Sequence, residues 1–200
     1  MTVMAERRAD ATVEEFEAIA RSADKVSDGA VRLEFIAGKI RVKRVADGDH
    51  DTIIMWLLRR CMQSRPELGL FVEKQLKVEA YRQGRARVDG VLAPWEHFAG
   101  KEEWAEPDGV LMTVEVTSSD SDSDTDRRDR REKPSAYAAV GIPVHLMIDR
   151  SSCTVTVLTY PDADRACYRD SHTAPFGEPV VIPDPVGIEL DTEVLKNYVR

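Results

Sequence analysis

An apolar segment that contains one acid constrains this chain most strongly. The segment 109–116, GVLMTVEV, predicts a buried β-strand, and Glu115 lies near its end. A carboxylate inside such a strand is costly to desolvate unless it is paired or bound to a metal. Glu115 therefore faces solvent, pairs with an arginine, or belongs to a chemical site, and the strand alone does not decide between these alternatives.

Strand-like and helical segments alternate along the rest of the chain. Thr12 and Glu15 form a capping box that predicts the start of a short amphipathic helix. Ala37-Gly38 separates two strand-like runs and predicts a tight hairpin. The other predicted elements are helices at 49–63, about 129–140 and 191–198, and strands at 71–79, 87–92, 109–116, 143–149, 154–160 and 179–182.

This order of elements predicts an α+β fold, with a mixed, mostly antiparallel sheet and helices on its faces. A chain of 200 residues with 42% hydrophobic and 32% charged content suits one domain, covering residues 1–200. The longest apolar runs are short, as at 53–58, so no membrane span is expected. The first residues lack the apolar region of a secretion signal, which favours a cytoplasmic protein.

Charge and cysteine content limit the function further. The net charge of -8 disfavours a general electrostatic grip on nucleic acid, so any contact with DNA must be local. Cys61, Cys153 and Cys167 form no CxxC pair and are odd in number. They are expected to be reduced and buried thiols that form neither disulfides nor zinc sites.

A second acid gives Glu115 a chemical interpretation. Asp89 lies early in the predicted strand 87–92, and Glu115 lies late in its own strand. If these strands pair antiparallel, the two carboxylates lie side by side at one end of the sheet and suit Mg²⁺. Asp108 cannot take this role, because it precedes Glu115 on the same segment by about 23 Å of extended chain.

Several motifs together carry a family resemblance. They are RLEFIAGKI, an Asp-His pair that opens a helix, RVDGV, VEVTS and DRREKPSAYAAVGIPVHLMID. From about residue 12 to the C-terminus the chain resembles the Uma-two family of restriction-endonuclease-like proteins, in the PD-(D/E)XK nuclease superfamily. The segment 114–149 is the most specific part. The resemblance implies a restriction-endonuclease-like core, a divalent metal and hydrolysis of phosphodiester bonds.

The resemblance also assigns the metal ligands. Asp89 matches the metal-binding aspartate of the family, although Val88 stands where a proline is usual, and Glu115 matches the acid of the (D/E)XK element. The backbone carbonyl of Val116 is expected to complete the protein ligands. Mg²⁺ is the expected cofactor, and Mn²⁺ is the alternative.

Three further residues match catalytic positions of the family. Thr117 stands where the superfamily has its lysine, and Lys133 on the following helix matches the migrated lysine of this family. Lys133 also lies four residues after Asp129, and an ordinary surface pair on the helix is the competing interpretation. Glu34 matches an acid of the first hairpin and His50 a histidine that opens the next helix, although both positions are more commonly occupied by exposed residues.

The segment between Glu115 and Lys133 is rich in charge. Residues 118–126 are all Ser, Thr or Asp, which predicts a solvated loop, and Thr125 and Arg131 do not fit an EF-hand. The bases at 127, 128, 130 and 131 either contact phosphates or neutralise the neighbouring aspartates.

The sequence thus predicts a Mg²⁺-dependent DNA endonuclease. Asp89 and Glu115 would hold the metal, and Lys133 would orient the attacking water. A catalytically inactive nuclease fold that binds DNA or a protein is the alternative, and a structural protein whose acidic loop binds a partner is another. Cleavage of both strands of a duplex is simplest for a two-fold homodimer.

Overall fold

The computed structural model describes residues 11–43, 45–78, 84–117 and 128–199. The helices within these ranges are α1 Val13–Val26, α2 Gly48–Ser64, a π-helical turn Arg128–Glu132 that leads into α3 Lys133–Ala139, and a 3₁₀-helix Glu193–Tyr198. None of them is both long and apolar enough to cross a bilayer. The strands are β1 Arg32–Ile36, β2 Lys39–Lys43, β3 Leu68–Val78, β4 Gly84–Pro94, β5 Met112–Val116, β6 Val144–Asp149, β7 Thr154–Asp162, β8 Cys167–Pro175, β9 Val180–Ile182 and β10 Ile188–Leu190.

Eight of these strands form one mixed sheet. Its order is β2-β1-β4-β5-β6-β7-β8, and β3 pairs with β4 as well. Neighbouring strands of this sheet run antiparallel, with the exception of β5 and β6, which are parallel. β9 and β10 form a separate two-stranded antiparallel sheet. The predicted α+β fold with a mostly antiparallel sheet is confirmed.

Strand β4 has two different partners along one of its edges. Near its start, Arg85 pairs with Phe35 of β1, and further along, Gly90 pairs with Val114 of β5. β3 follows nearly the whole opposite edge of β4. β1 and β5 therefore diverge along the same edge of β4 and leave a gap between them, which we call the sheet fork.

The helices cover both faces of the sheet. Ile53 and Leu57 of α2 pack in one core cluster with Val114 and Val116 of β5. α3 packs in a second cluster on β3 and β4, and α1 packs in a third on β1. Because side chains alternate along a strand, Glu115 points away from the α2 cluster and toward α3. This alternation explains how an acid fits inside an apolar strand.

The predicted helices and strands are present, with shifted ends. The capping box of Thr12 and Glu15 forms both of its hydrogen bonds, and Pro134 lies in the first turn of α3, where a residue without a backbone N–H is tolerated. β8 and β10 were not predicted. β8 is an edge strand whose side chains are mostly exposed and polar, so it shows no apolar alternation, and β10 has three residues. The predicted C-terminal helix is a short 3₁₀-helix.

The three cysteines are free thiols, as predicted, but they are not all buried. Cys61 lies in the core, where burial raises the pKa of its thiol to about 12. Cys153 is partly buried and Cys167 is exposed on β8. The prediction of burial is wrong for Cys167, because the polar edge strand that carries it was not recognised.

We expect truncation of Leu57 to test the α2 core. Leu57→Ala should lower the free energy of unfolding by about 2–5 kcal/mol, since the side chain is fully buried and leaves a cavity. Met55→Ala on the same helix is the control, because Met55 is largely exposed and its loss should change stability by about 0.5 kcal/mol or less. Urea denaturation measures both values, and equal losses would contradict this packing.

Candidate active site

Side chains fill the sheet fork and take over backbone hydrogen bonds there. The backbone N–H of Arg87 on β4 donates to Oε1 of Glu34 over 2.9 Å, and its carbonyl accepts from Nζ of Lys133 over 3.3 Å. Backbone groups buried without partners are unfavourable, so these side chains stabilise the fork edge of Arg87, whose opposite edge pairs with Gln75 of β3. The geometry fixes Glu34 and Lys133 against β4.

Asp89 and Glu115 meet at the end of the fork. Gly90 pairs with Val114, which places the two acids one residue further along the antiparallel pair. Nζ of Lys43 lies 2.7 Å from Oδ1 of Asp89 and 3.3 Å from Oε2 of Glu115. Both carboxylates thus contact one cation, and they lie close enough to share it. This is the arrangement expected of the two predicted metal ligands.

The second oxygen of Asp89 is also occupied. Its Oδ2 accepts a 2.8 Å hydrogen bond from the backbone N–H of Val116 and lies 3.2 Å from Nε2 of His50. Burial alone would raise the pKa of Asp89, but the charges of Lys43, His50 and Lys133 and the hydrogen bond from His50 outweigh it and hold that pKa well below its usual range. Asp89 is therefore ionised and oriented before any ligand arrives.

His50 is held against Asp89 by the start of α2. Asp47 caps this helix and accepts from the backbone N–H of His50 over 2.8 Å. Burial lowers the pKa of His50, but the hydrogen bond to Asp89 and the charge of Asp89 raise it more, so the net shift is upward. His50 acts on Asp89 as a hydrogen-bond donor and as a positive charge when protonated.

Lys133 lies inside the protein, not on the helix surface. Its side chain is fully buried, and its ammonium lies 3.1 Å from Oε1 of Glu34 and 2.9 Å from Oε2 of Glu115. A buried ammonium does not fit the competing interpretation of an exposed surface pair, and the side chain of Asp129 lies outside the described part of the structure. Asp89, Glu115, Lys133, Glu34 and His50, the five residues predicted from the sequence, come together in one cluster.

Tyr137 is an unpredicted member of this cluster. Its hydroxyl donates a 2.6 Å hydrogen bond to Oε1 of Glu115, and the ring is fully buried. Burial and the neighbouring charge of Glu115 raise the pKa of Tyr137 well above its usual value, so it remains a donor. Tyr137 follows Lys133 by four residues and so shares its helix face, which is the signal in the sequence that could have identified it.

Lys43 is the second unpredicted member. Lys43 is the last residue of β2 and lies two residues after Arg41. The guanidinium of Arg41 pairs with Glu132 over 3.0 Å. Arg41 pairs with Glu34 across the hairpin, so alternate residues of β2 face the site. The alternation of bases in KIRVK, read together with Glu34 on the facing strand, was the signal that could have identified Lys43.

The two residues at the end of β6 anchor the elements that carry the cluster. Asp149 is buried and pairs with Arg130 of the π-helical turn, and its Oδ1 accepts from the hydroxyl of Thr117 over 3.1 Å. Arg150 donates to Oδ2 of Asp47 over 2.8 Å. Asp149 thereby holds the segment that leads to Lys133, and Arg150 holds the cap of the helix that starts with His50.

The structure describes only part of the charged segment 118–131. The predicted loop 118–126 and Arg127 lie outside the described residues, as does the side chain of Arg128. Arg130 neutralises an aspartate, Asp149 of β6. Arg131 lines a cleft of about 570 Å³ beside the start of α3, with Ala136, Ala139 and Arg165 among the other lining residues.

The cluster fits a small divalent cation of the Mg²⁺ type. No group of three or more His, Cys, Asp or Glu side chains is arranged to hold a metal within the described ranges. The two ionised carboxylates nevertheless share a cation in the form of the Lys43 ammonium. Mg²⁺ commonly binds one or two carboxylates and keeps several waters, so this pair suits it. The carbonyl of Val116 stays a predicted ligand, while its N–H serves Asp89.

Fold and site define the class of protein. The architecture is that of a restriction-endonuclease-like α+β domain, with acids and a lysine at the sheet fork. The chain belongs to the Uma2 family, described as "Putative restriction endonuclease", whose model matches residues 13–193.

One solved structure and the curated proteins complete the comparison. A crystal structure described as a putative nuclease belonging to DUF820 from Anabaena variabilis ATCC 29413 is similar, with a TM-score of 0.65 and 18% identity over 95% of this chain and 99% of that one. At this identity the likeness supports the fold alone. No curated protein matches the chain significantly.

Removal of the tyrosine hydroxyl tests the cluster without changing its charges. Tyr137→Phe should lower the free energy of unfolding by about 1.5–3 kcal/mol, because Glu115 loses a hydrogen bond to a buried charge. Tyr168→Phe is the matched control, since its hydroxyl donates to the neutral carbonyl of Ile142 and should contribute about 0.5–1.5 kcal/mol. Denaturation in urea measures both, and a smaller loss for Tyr137→Phe than for Tyr168→Phe would contradict the assigned hydrogen bond.

Proposed function

We propose that this member of the Uma2 family is a Mg²⁺-dependent DNA endonuclease that hydrolyses phosphodiester bonds, with Mn²⁺ as an alternative metal. The family's description, "Putative restriction endonuclease", supports the reaction class. A cytoplasmic location is part of the proposal, and the three free cysteines are consistent with a reducing compartment.

The observation that carries the proposal is the pair of carboxylates on one cation, beside a buried lysine. Asp89 and Glu115 both contact the ammonium of Lys43, and Glu115 also contacts Lys133 over 2.9 Å. Buried acids on adjacent strands are unfavourable unless they are paired, and such clusters are found most often at functional sites. A metal-dependent phosphodiesterase can use an acid pair to bind the cation and a fixed positive charge to stabilise the transition state.

Each residue has a role in the proposed reaction. Asp89 and Glu115 would hold the metal, and the carbonyl of Val116 would be the third protein ligand. Bound Mg²⁺ would polarise the scissile phosphate and lower the pKa of the attacking water. Lys133 orients that water and stabilises the charge that develops on the phosphate. Its contacts with Glu34 and the Arg87 carbonyl keep its ammonium in place, so little reorganisation accompanies the reaction.

His50 and Tyr137 orient the two ligands. His50 contacts Oδ2 of Asp89, whereas Lys43 lies nearest Oδ1. Tyr137 donates to Oε1 of Glu115, whereas Lys43 lies nearest Oε2. Groups that hydrogen-bond to ligating carboxylates fix their direction and tune metal affinity. The oxygens nearest Lys43 are thereby directed toward the cation position.

A catalytically inactive nuclease fold that binds DNA or a protein is the second candidate function. The observation in its favour is that protein cations already pair with both acids, through Lys43, His50 and Lys133. A module that retained the fold for binding alone would be stable in this state. Dependence of turnover on a divalent metal separates the two functions.

Cleavage of supercoiled plasmid is the direct test. We expect nicked or linear products with Mg²⁺ or Mn²⁺ and intact plasmid with EDTA. Asp89→Asn should lose both cleavage and Mg²⁺ binding, the latter measured by calorimetry. Absence of cleavage by the wild type, despite intact DNA binding, would favour the inactive module.

Substitution of Lys133 tests the predicted catalytic lysine. Lys133→Met should abolish cleavage, but it also removes one partner of a buried ion pair and should cost about 3–5 kcal/mol of stability. Lys133→Arg keeps the charge and supports folding, but a guanidinium shares a proton with water poorly. We expect Lys133→Arg to cleave at least about 100-fold more slowly. Cleavage at the wild-type rate by either variant, once its folding is verified by thermal denaturation, would exclude this role.

A homodimer is proposed for cutting both strands. One active cluster per chain cuts one strand, and a two-fold pair places two clusters on the two strands of a duplex. Analytical ultracentrifugation with a duplex should give two chains per DNA. A monomer that linearises plasmid in one concerted step would refute the dimer.

A further inference from the structure

Lys43 holds the position between the two acids. It is the last residue of β2, the edge strand of the hairpin, and its stem reaches across to the end of the fork. Its ammonium contacts both Asp89 and Glu115, at 2.7 and 3.3 Å. The acid pair is therefore neutralised in part by the chain's own cation.

A divalent cation and this ammonium cannot share the position. Mg²⁺ binds carboxylate oxygens at about 2.0–2.1 Å, which places it within the space that the ammonium fills. Two positive charges at such a separation also repel strongly. Binding of Mg²⁺ by Asp89 and Glu115 therefore requires that Lys43 move.

Of the two lysines that contact Glu115, Lys43 is the one able to move. Its side chain is 18% exposed, whereas that of Lys133 has no exposure. Lys133 is also held by Glu34 and by the carbonyl of Arg87. A lysine stem is flexible, so Lys43 can swing toward solvent without disturbing the sheet.

We propose that Lys43 is the counter-ion of the metal-free acid pair, that an entering divalent cation displaces it, and that the released ammonium then contacts a phosphate of the substrate. The stem stays anchored at the end of β2, so the ammonium remains beside the site, where the scissile phosphate must lie to reach the metal. The phosphate contact rests on the proposed nuclease function, and the displacement does not.

Calorimetric titration with Mg²⁺ tests the displacement without reference to cleavage. Lys43→Met should bind Mg²⁺ roughly tenfold more tightly than the wild type, because no cation competes for the acids. Lys39→Met is the matched control, since Lys39 is an exposed lysine on the same strand, and its Mg²⁺ affinity should equal that of the wild type. Equal or weaker binding by Lys43→Met overturns the displacement, as does a lack of Mg²⁺ binding by every variant.

Thermal denaturation in EDTA and in Mg²⁺ separates an effect of the substitution on folding from its effect on Mg²⁺ binding. Lys43→Met leaves two acids without their shared cation, so it should melt below the wild type in EDTA and gain more from Mg²⁺ than the wild type does. Lys43→Gln, which retains a polar head, is the second variant if Lys43→Met does not fold. A smaller gain from Mg²⁺ in the folded variant overturns the displacement.

Binding of a short duplex in Ca²⁺ tests the phosphate contact. Loss of one phosphate contact should weaken Lys43→Met and reduce the slope of log affinity against log salt by about one. Lys196→Met, on the C-terminal 3₁₀-helix, is the control and should keep the wild-type slope. An unchanged slope for Lys43→Met overturns the contact. If the wild type binds no DNA, the contact and the proposed function both fail, while the Mg²⁺ titration still decides the displacement.

Discussion

The divergence of β1 and β5 along one edge of β4 is the constraint on which the site depends. It leaves the backbone N–H and carbonyl of Arg87 without a strand partner, and Glu34 and Lys133 supply both hydrogen bonds. The same two side chains pair with each other over 3.1 Å. The unpaired edge of β4 at Arg87 thus fixes the positions of the Glu34 carboxylate and the Lys133 ammonium. Loss of either side chain would affect folding and chemistry together.

The cluster places three buried acids against three basic side chains. Glu34, Asp89 and Glu115 are buried, and Lys43, Lys133 and His50 face them. Replacement of buried ion pairs by apolar side chains is often neutral or stabilising, so stability alone does not explain such a cluster. Sites that keep buried charge at a cost in stability are expected to be functional. This argument supports chemistry at the fork independently of family membership, which by itself supports a fold better than an activity.

The sequence predicted the parts of the fold that have a clear period or a clear cap. The helix at Thr12 and the hairpin at Ala37-Gly38 follow from local patterns. The placement of Asp89 beside Glu115 was predicted on the condition that their strands pair antiparallel, which they do. Lys43 and Tyr137 were missed, because the alternation of bases in KIRVK and the four-residue spacing of Tyr137 from Lys133 point to the site only once it is known which elements meet at the fork. β8 was missed for the opposite reason, since an edge strand with two solvated faces shows no apolar period.

The position after Val116 explains how a lysine can serve this site from a helix. Thr117 stands where the resemblance places the superfamily's lysine, and its hydroxyl donates to Asp149 and accepts from the backbone N–H of Arg150. These two residues in turn hold Arg130 of the π-helical turn and Asp47 at the start of α2. The hydroxyl of the residue that follows β5 therefore ties the sheet to both helices that contribute to the cluster. Because Arg130 precedes Lys133 by less than one helical turn, the pair of Arg130 with Asp149 also anchors the start of the helix that carries Lys133.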